Sequence, residues 1–159
     1  MIETGTFAAP DECVLLFQEM QVVVEVDPGL AGFAEQGALV QRRRLPVSFP
    51  VEVRFVAADD AMLSTAHGRD TAYVAVHQYV GSDWAPYFRA VEEVMLDLDG
   101  RPHWGKRHEA TAEVLAPRYP DWERFADLRT RLDPDGLFVN EHVARTLGVA
   151  TADRRRSPA

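Results

Sequence analysis

Glu52 and Arg54 stand two residues apart in the run Pro50-Val51-Glu52-Val53-Arg54-Phe55-Val56, where charged and apolar residues alternate. A strand repeats every two residues, so the acid and the base share one face while Val51, Val53 and Phe55 share the other. The run from Thr71 to Val80 alternates in the same way and puts Tyr73, Ala75, His77 and Tyr79 on one side. Adjacent strands lie about 4.8 Å apart, so with matched faces Glu52, Arg54, His77 and Tyr79 converge on one small polar ligand. The same spacing also fits a solvent-facing salt bridge beside a solvated histidine.

A second concentration is Arg101-Pro102-His103-Trp104-Gly105-Lys106-Arg107-His108, which gathers cations, two histidines and an indole around one glycine. Lysine and arginine stabilise an anion or a developing negative charge, and glycine lets backbone approach a planar ring. The alternative is structural, with Trp104 as a core anchor and the cations solvated. A metal site fits poorly. His103 and His108 are five residues apart, share no helix face, and have no carboxylate in this run to complete a coordination shell. Gly-x-Gly-x-x-Gly, P-loop, Gly-x-Ser-x-Gly and Cys-x-x-Cys patterns are all missing from the sequence, which leaves no nucleotide cradle or activated nucleophile to read.

The elements that must position these residues follow from periodicity. Gln21 to Val26 reads as a strand ending at the turn Asp27-Pro28-Gly29. Leu30 to about Arg43 reads as a helix stopped by Pro46. Strands over Phe49 to Val56 and Thr71 to Val80 come next, then a helix from the N-cap Asp83 to about Asp97, closed by Asp99-Gly100. Beyond the Arg101 to Arg107 loop, helices are expected over Glu109 to Ala116, Asp121 to Arg131 and Glu141 to Leu147, with a turn at Asp133-Pro134-Asp135-Gly136 and a stop at Gly148. This order predicts an α+β fold: a partial ferredoxin-like antiparallel sheet with helices on one face, lacking its outer strands, plus a C-terminal helical extension. The expected organisation is a partial cap or substrate domain over 1–100, a C-terminal segment over 101–149, and a disordered tail over 150–159.

With 159 residues, 47% hydrophobic and 26% charged, the chain suits one soluble domain with a real core. A net charge of -8 argues against nucleic acid as a partner. The triplets Arg42-Arg43-Arg44 and Arg154-Arg155-Arg156 read as solvated faces. The single cysteine, Cys13, leaves no internal disulfide or cysteine-based zinc site. Neither a membrane span nor a signal peptide is indicated, and a cytoplasmic location is expected.

Several ordered runs resemble the aldonolactone and alditol oxidase family, which includes D-arabinono-1,4-lactone oxidases and L-gulono-1,4-lactone oxidases and dehydrogenases. They are Pro50-Val51-Glu52-Val53-Arg54, Ala57-Ala58-Asp59-Asp60, Leu63-Ser64, Arg69-Asp70 and, above all, Arg101-Pro102-His103-Trp104-Gly105-Lys106. Tyr119-Pro120, Phe125, Arg129, Asp133-Pro134, Phe138-Val139-Asn140 and Leu147-Gly148 continue the likeness, which spans roughly Val47 to Val149.

The resemblance implies FAD as cofactor, with its main binding domain, of the vanillyl-alcohol oxidase type, expected to be absent from this chain. It implies oxidation of a sugar lactone or alditol by loss of a hydroxyl proton and hydride transfer to flavin N5. Glu52, Arg54 and Lys106 are implied as catalytic: the arginine beside substrate and flavin, the glutamate orienting the hydroxyl, and the lysine favouring the anionic reduced ring. Glu52, Arg54 and His77 are implied to bind substrate, and His103, Trp104 and Lys106 to face the cofactor. Expected partners are the substrate and either a separate FAD-binding domain or a second copy of the chain; the family also admits peripheral membrane association. The chain alone is expected to lack activity. The alternative is a noncatalytic remnant or interaction module that binds a partner through the surface such a domain would cover.

Overall fold

β-Branched and small residues alternating with polar ones along three segments produce an antiparallel sheet whose middle strands are buried on the side that faces a helix. The computed structural model describes residues 17–25, 34, 37–45 and 47–151. Its strands are β1 (Phe17–Glu25), β2 (Glu52–Val56), β3 (Thr71–Tyr79) and β4 (Arg101–Pro102). The helices are α1 (Ala85–Asp97), α2 (Ala112–Leu115), α3 (Trp122–Leu132) and α4 (Glu141–Leu147), with a 3-10 turn at Ala116–Arg118. Residues 37–43 are also helical.

The sheet order is β2-β3-β1-β4, antiparallel throughout. With a helical segment between β1 and β2, and α1 between β3 and β4, this is the ferredoxin-like βαββαβ arrangement. The α+β expectation holds, but the sheet does not lack its outer strands, since β2 and β4 form its two edges. β4 escaped a reading by alternation because it is two residues long and contains a proline, which only an edge strand accommodates readily. The sheet thereby takes in Arg101 and Pro102.

Met20, Val22 and Val24 of β1 and Ala72, Val74 and Val76 of β3 form one face and pack on Tyr87, Phe88, Val91 and Met95 of α1. Val40 and Leu45 lie against the same core. Each fully buried aliphatic or aromatic side chain here is worth about 1.5–3 kcal/mol relative to exposure, which fixes the register of the middle strands. α1 starts at Ala85, with Trp84 rather than Asp83 at the N-cap and no side-chain cap; the early Pro86 sets the first turn instead. At the other end a Cβ on Gly100 would collide with the Met95 carbonyl and lie 2.9 Å from Val22, so only glycine lets α1 close onto β1.

A second cluster of Ala110, Leu115 and Tyr119, joined by Leu63, Trp104 and Trp122, anchors the C-terminal helices. The helix expected over Glu109 to Ala116 is shorter, covering Ala112–Leu115 before the 3-10 turn. α4 forms as expected, with Asn140 accepting the Val143 amide at 2.9 Å and Gly148 ending it at φ 66°. α3 buries no residue. Its apolar side, with Phe125, Leu128 and Leu132, joins Phe138 and Val143 around an apolar groove of about 370 Å³. The turn at Asp27-Pro28-Gly29, Cys13, the first part of the Leu30 to Arg43 helix and the tail from Ala152 lie outside the described residues.

Candidate functional site

The sheet face opposite α1 carries the polar residues. In β2, Glu52 pairs with Ala75 and Arg54 with Tyr73; in β1, Glu19 pairs with His77 and Gln21 with Ala75. Directly opposed residues project from the same face. Glu19, Glu52, Arg54 and His77 therefore belong to one surface spanning three strands. Arg54 Nε donates to Glu52 Oε1 at 2.6 Å, and both side chains are exposed. That bond, aided by the charges of Arg54, His77 and Lys106, holds the Glu52 carboxyl below its ordinary range although slight burial opposes it.

Lys106 reaches this face through a bulge at the sheet edge. The amides of His103 and Arg107 donate to the Gln21 and Glu19 carbonyls at 2.9 and 3.1 Å. The chain thus takes four steps where β1 takes two, and the surplus residues close a turn in which Lys106 N donates to His103 O at 3.0 Å. Gly105 N donates to His103 Nδ1 at 3.1 Å and braces the turn. Lys106 Nζ then lies 2.6 Å from Glu19 Oε2, with both side chains 12% exposed. His77 Nε2 lies 3.7 Å from the other oxygen of Glu19. Phe49 flanks the imidazole at 5.2 Å between ring centroids and meets Tyr79 edge-on at 6.0 Å.

The structure brings Glu52, Arg54, His77 and Lys106 onto one face. It sends Trp104 elsewhere: the indole N–H donates to Leu63 O at 2.8 Å, and the ring lies 5.3 Å from Tyr119 and 6.4 Å from Trp122. Trp104 pins the bulge to the helical extension. Its carbonyl also accepts from His142 at 3.1 Å. Glu19 was missed in the sequence because the strand was read from Gln21; starting β1 at Phe17 would have shown Glu19 and Gln21 two residues apart on the polar face.

The runs between β2 and β3 serve to shape their connection. Asp59 binds Ser64 Oγ at 2.5 Å and the Ala61 amide at 3.1 Å, while Asp70 accepts the Ala58 amide at 2.8 Å. Arg101, 5% exposed, clasps the far side of this loop by donating to the carbonyls of Thr65, His67 and Arg118, with its guanidinium 5.0 Å from the Tyr119 ring centroid. Burial pushes the Tyr119 hydroxyl pKa well up. Glu92 is likewise buried, which raises its carboxyl pKa although the amides of Glu109 and Ala110 bind it and oppose the shift. Among the described residues no group of three or more histidine, cysteine or acidic side chains is placed to hold a metal ion, and no helix is long and apolar enough to cross a membrane.

Two carboxylates, two cations and an imidazole thus share one face of the antiparallel sheet. The family model for D-arabinono-1,4-lactone oxidase matches residues 7–146, and the chain belongs to that family. An L-gulono-1,4-lactone dehydrogenase of Mycobacterium tuberculosis is 55% identical over 132 residues, covering 83% of this chain and 31% of that protein. The mouse L-gulonolactone oxidase is 39% identical over 61% of this chain and 23% of its own length, and a Streptomyces alditol oxidase is 44% identical over 60% and 23%. The chain thus spans less than a third of these relatives.

Proposed function

We propose that this chain supplies the substrate-facing sheet of an FAD-dependent oxidoreductase that converts a CH–OH group of a sugar lactone or alditol to C=O. The observation that carries the reading is the convergence of Glu52, Arg54, His77 and Lys106, braced by Glu19, on one sheet face. Arg54 donates to substrate oxygens, while Glu52, kept ionised by Arg54, accepts the hydroxyl hydrogen and fixes which carbon is presented. His77, beside Glu19, is proposed to line the substrate pocket.

The donor set suits a ring that becomes anionic when reduced, since Arg54 and Lys106 are cations on the open face and the Glu19 bond holds the lysine in place. FAD, when bound, would supply the two-electron acceptor. Lys106 is the residue proposed to face it; His103 and Trp104 are proposed to act indirectly, by shaping and anchoring the bulge that carries Lys106. A separate FAD-binding domain is the proposed partner.

The test is a chimera in which residues of this chain replace the matching 132-residue segment of the M. tuberculosis relative. Anaerobic addition of L-gulono-1,4-lactone should bleach the flavin absorbance, and Arg54→Ala should abolish the bleaching. A folded, FAD-loaded chimera that no sugar lactone or alditol bleaches would overturn the proposal.

The second reading, a noncatalytic interaction module, draws on the apolar groove along α3, where Leu132 is 75% and Phe138 83% exposed. A fully active chimera excludes it.

A further inference from the structure

The two edges of the sheet are finished differently. β4 is two residues long, contains Pro102 and runs into the bulge that carries Lys106, features that blunt an edge against further pairing. β2 has neither a proline nor a bulge: Glu52 to Val56 pair one-to-one with β3, and among the described residues no strand pairs with their other side. All five residues are exposed. Val53 and Phe55, on the face that packs on α1 in the middle strands, are 37% and 61% exposed. The helical layer thus stops short of β2, leaving an aromatic ring and a valine beside a strand edge whose outward N–H and C=O groups can still accept a neighbour.

The sequence of this edge is complementary to itself. When two copies of β2 run antiparallel about a two-fold axis at Val53, Glu52 of each copy faces Arg54 of the other, Val53 faces Val53, and Phe55 faces Val51. Sliding one copy by two residues would oppose Glu52 to Glu52 or Arg54 to Arg54, and sliding it by one would set charged residues against apolar ones. One register therefore satisfies both faces at once. Residues opposed across a ladder project from the same face, so the polar faces of the two copies lie on the same side of the sheet. Glu52 already accepts from Arg54 of its own chain through Oε1 at 2.6 Å, and both side chains are exposed, so its other carboxylate oxygen can accept from the second guanidinium.

We propose that this edge is a homodimer interface in which two copies join β2 to β2, antiparallel and in register about Val53. Two four-stranded sheets then become one continuous sheet, with Glu52 and Arg54 of both chains forming a row of alternating charge across the two-fold axis. The second copy thereby adds charges to the same polar face, while Val53 and Phe55 gain the apolar neighbours that the helices of their own chain do not give them. The inference rests on the strand edge alone and is independent of the reaction proposed for the polar face.

The test begins with sedimentation velocity of the full chain, which should show a dimer at about 100 µM. Glu52→Arg or Arg54→Glu alone should weaken dimerisation at least about tenfold, because each sets like charges opposite one another. An equimolar mixture of the two variants should recover a mixed dimer, in which both cross-pairs are again of opposite sign. Register is read by oxidative crosslinking in a Cys13→Ser background. Val53→Cys should give a disulfide-linked dimer, since directly opposed residues have Cα atoms about 4.5–5.5 Å apart, whereas Phe55→Cys, roughly 14 Å from its copy, should not. A wild-type chain that stays monomeric, folded charge variants that dimerise as well as wild type, or a dimer that Val53→Cys does not link would overturn the proposal. Wild-type sedimentation and the Val53→Cys crosslink decide the matter even if the charge variants do not fold.

Discussion

Two sets of charged residues in this chain are held in opposite ways. On the open face, Arg54 binds Glu52, and Lys106 binds Glu19, side chain to side chain. Elsewhere, Arg101, Arg145 and Glu92 spend their hydrogen bonds largely on backbone carbonyls and amides. A charge bound to another exposed side chain, as Arg54 is to Glu52, can exchange that partner for a ligand at small cost. A charge bound to backbone leaves unpaired groups when removed. The first arrangement suits recognition and the second suits construction.

Arg101→Leu should break that comparison most visibly if it is wrong. The substitution strips donors from three carbonyls in one place, and urea unfolding should show a loss of roughly 3–5 kcal/mol. Arg54→Leu, the same change on the open face, should cost less than about 1 kcal/mol. Equal losses would mean that the two sets do not differ in kind.

His108 sharpens the contrast through pH. Its folded pKa lies below the unfolded one, so as pH falls the unfolded chain takes up the proton first and stability drops from about pH 6.5 towards pH 3. Between pH 7 and pH 4 the decline attributable to His108 should reach roughly 3 kcal/mol. It is read as the difference in pH dependence between wild type and His108→Gln, because Glu92, whose carboxyl is raised, acts in the opposite direction and cancels in that difference.

A double-mutant cycle on Glu19 and Lys106, a pair mostly shielded from solvent, should give a coupling of about 1–3 kcal/mol. The same cycle on Glu52 and Arg54 should give less than about 0.5 kcal/mol. The smallest effect is the pH dependence of Glu52. Its lowered pKa adds stability that is present at neutral pH and fades as the solution is acidified through that pKa. The Glu52→Gln variant should show a slightly shallower acid limb in thermal melts.

Alternation made β2 and β3 legible, because a two-residue repeat assigns every side chain to a face once the strand is recognised. Glu52, Arg54 and His77 therefore group together from the sequence alone. Lys106 could be picked out from its neighbours and from family likeness, but its arrival on the same face depends on hydrogen bonds to Gln21 and Glu19, more than eighty positions upstream, which periodicity does not encode. Arg101 and Arg107 look alike as basic residues in one loop, yet one is buried among carbonyls and the other stacks on Trp84. Their divergence follows from the opposite sides taken by successive residues around a two-residue edge strand and its bulge. β4 itself was illegible because its pairing comes from β1 rather than from its own composition.

The bulge that carries Lys106 has its two ends tied to alternate carbonyls of a strand, which makes its contour length a discrete quantity. Exchanging residues inside it changes chemistry and leaves the frame alone. Inserting or deleting one residue must either break a tie or slide the edge by a full residue, and a slide turns every following side chain to the opposite surface. Variation across this stretch is therefore expected to run through replacements rather than through changes of length, and engineering of the lysine's reach should start from side-chain length rather than from loop length.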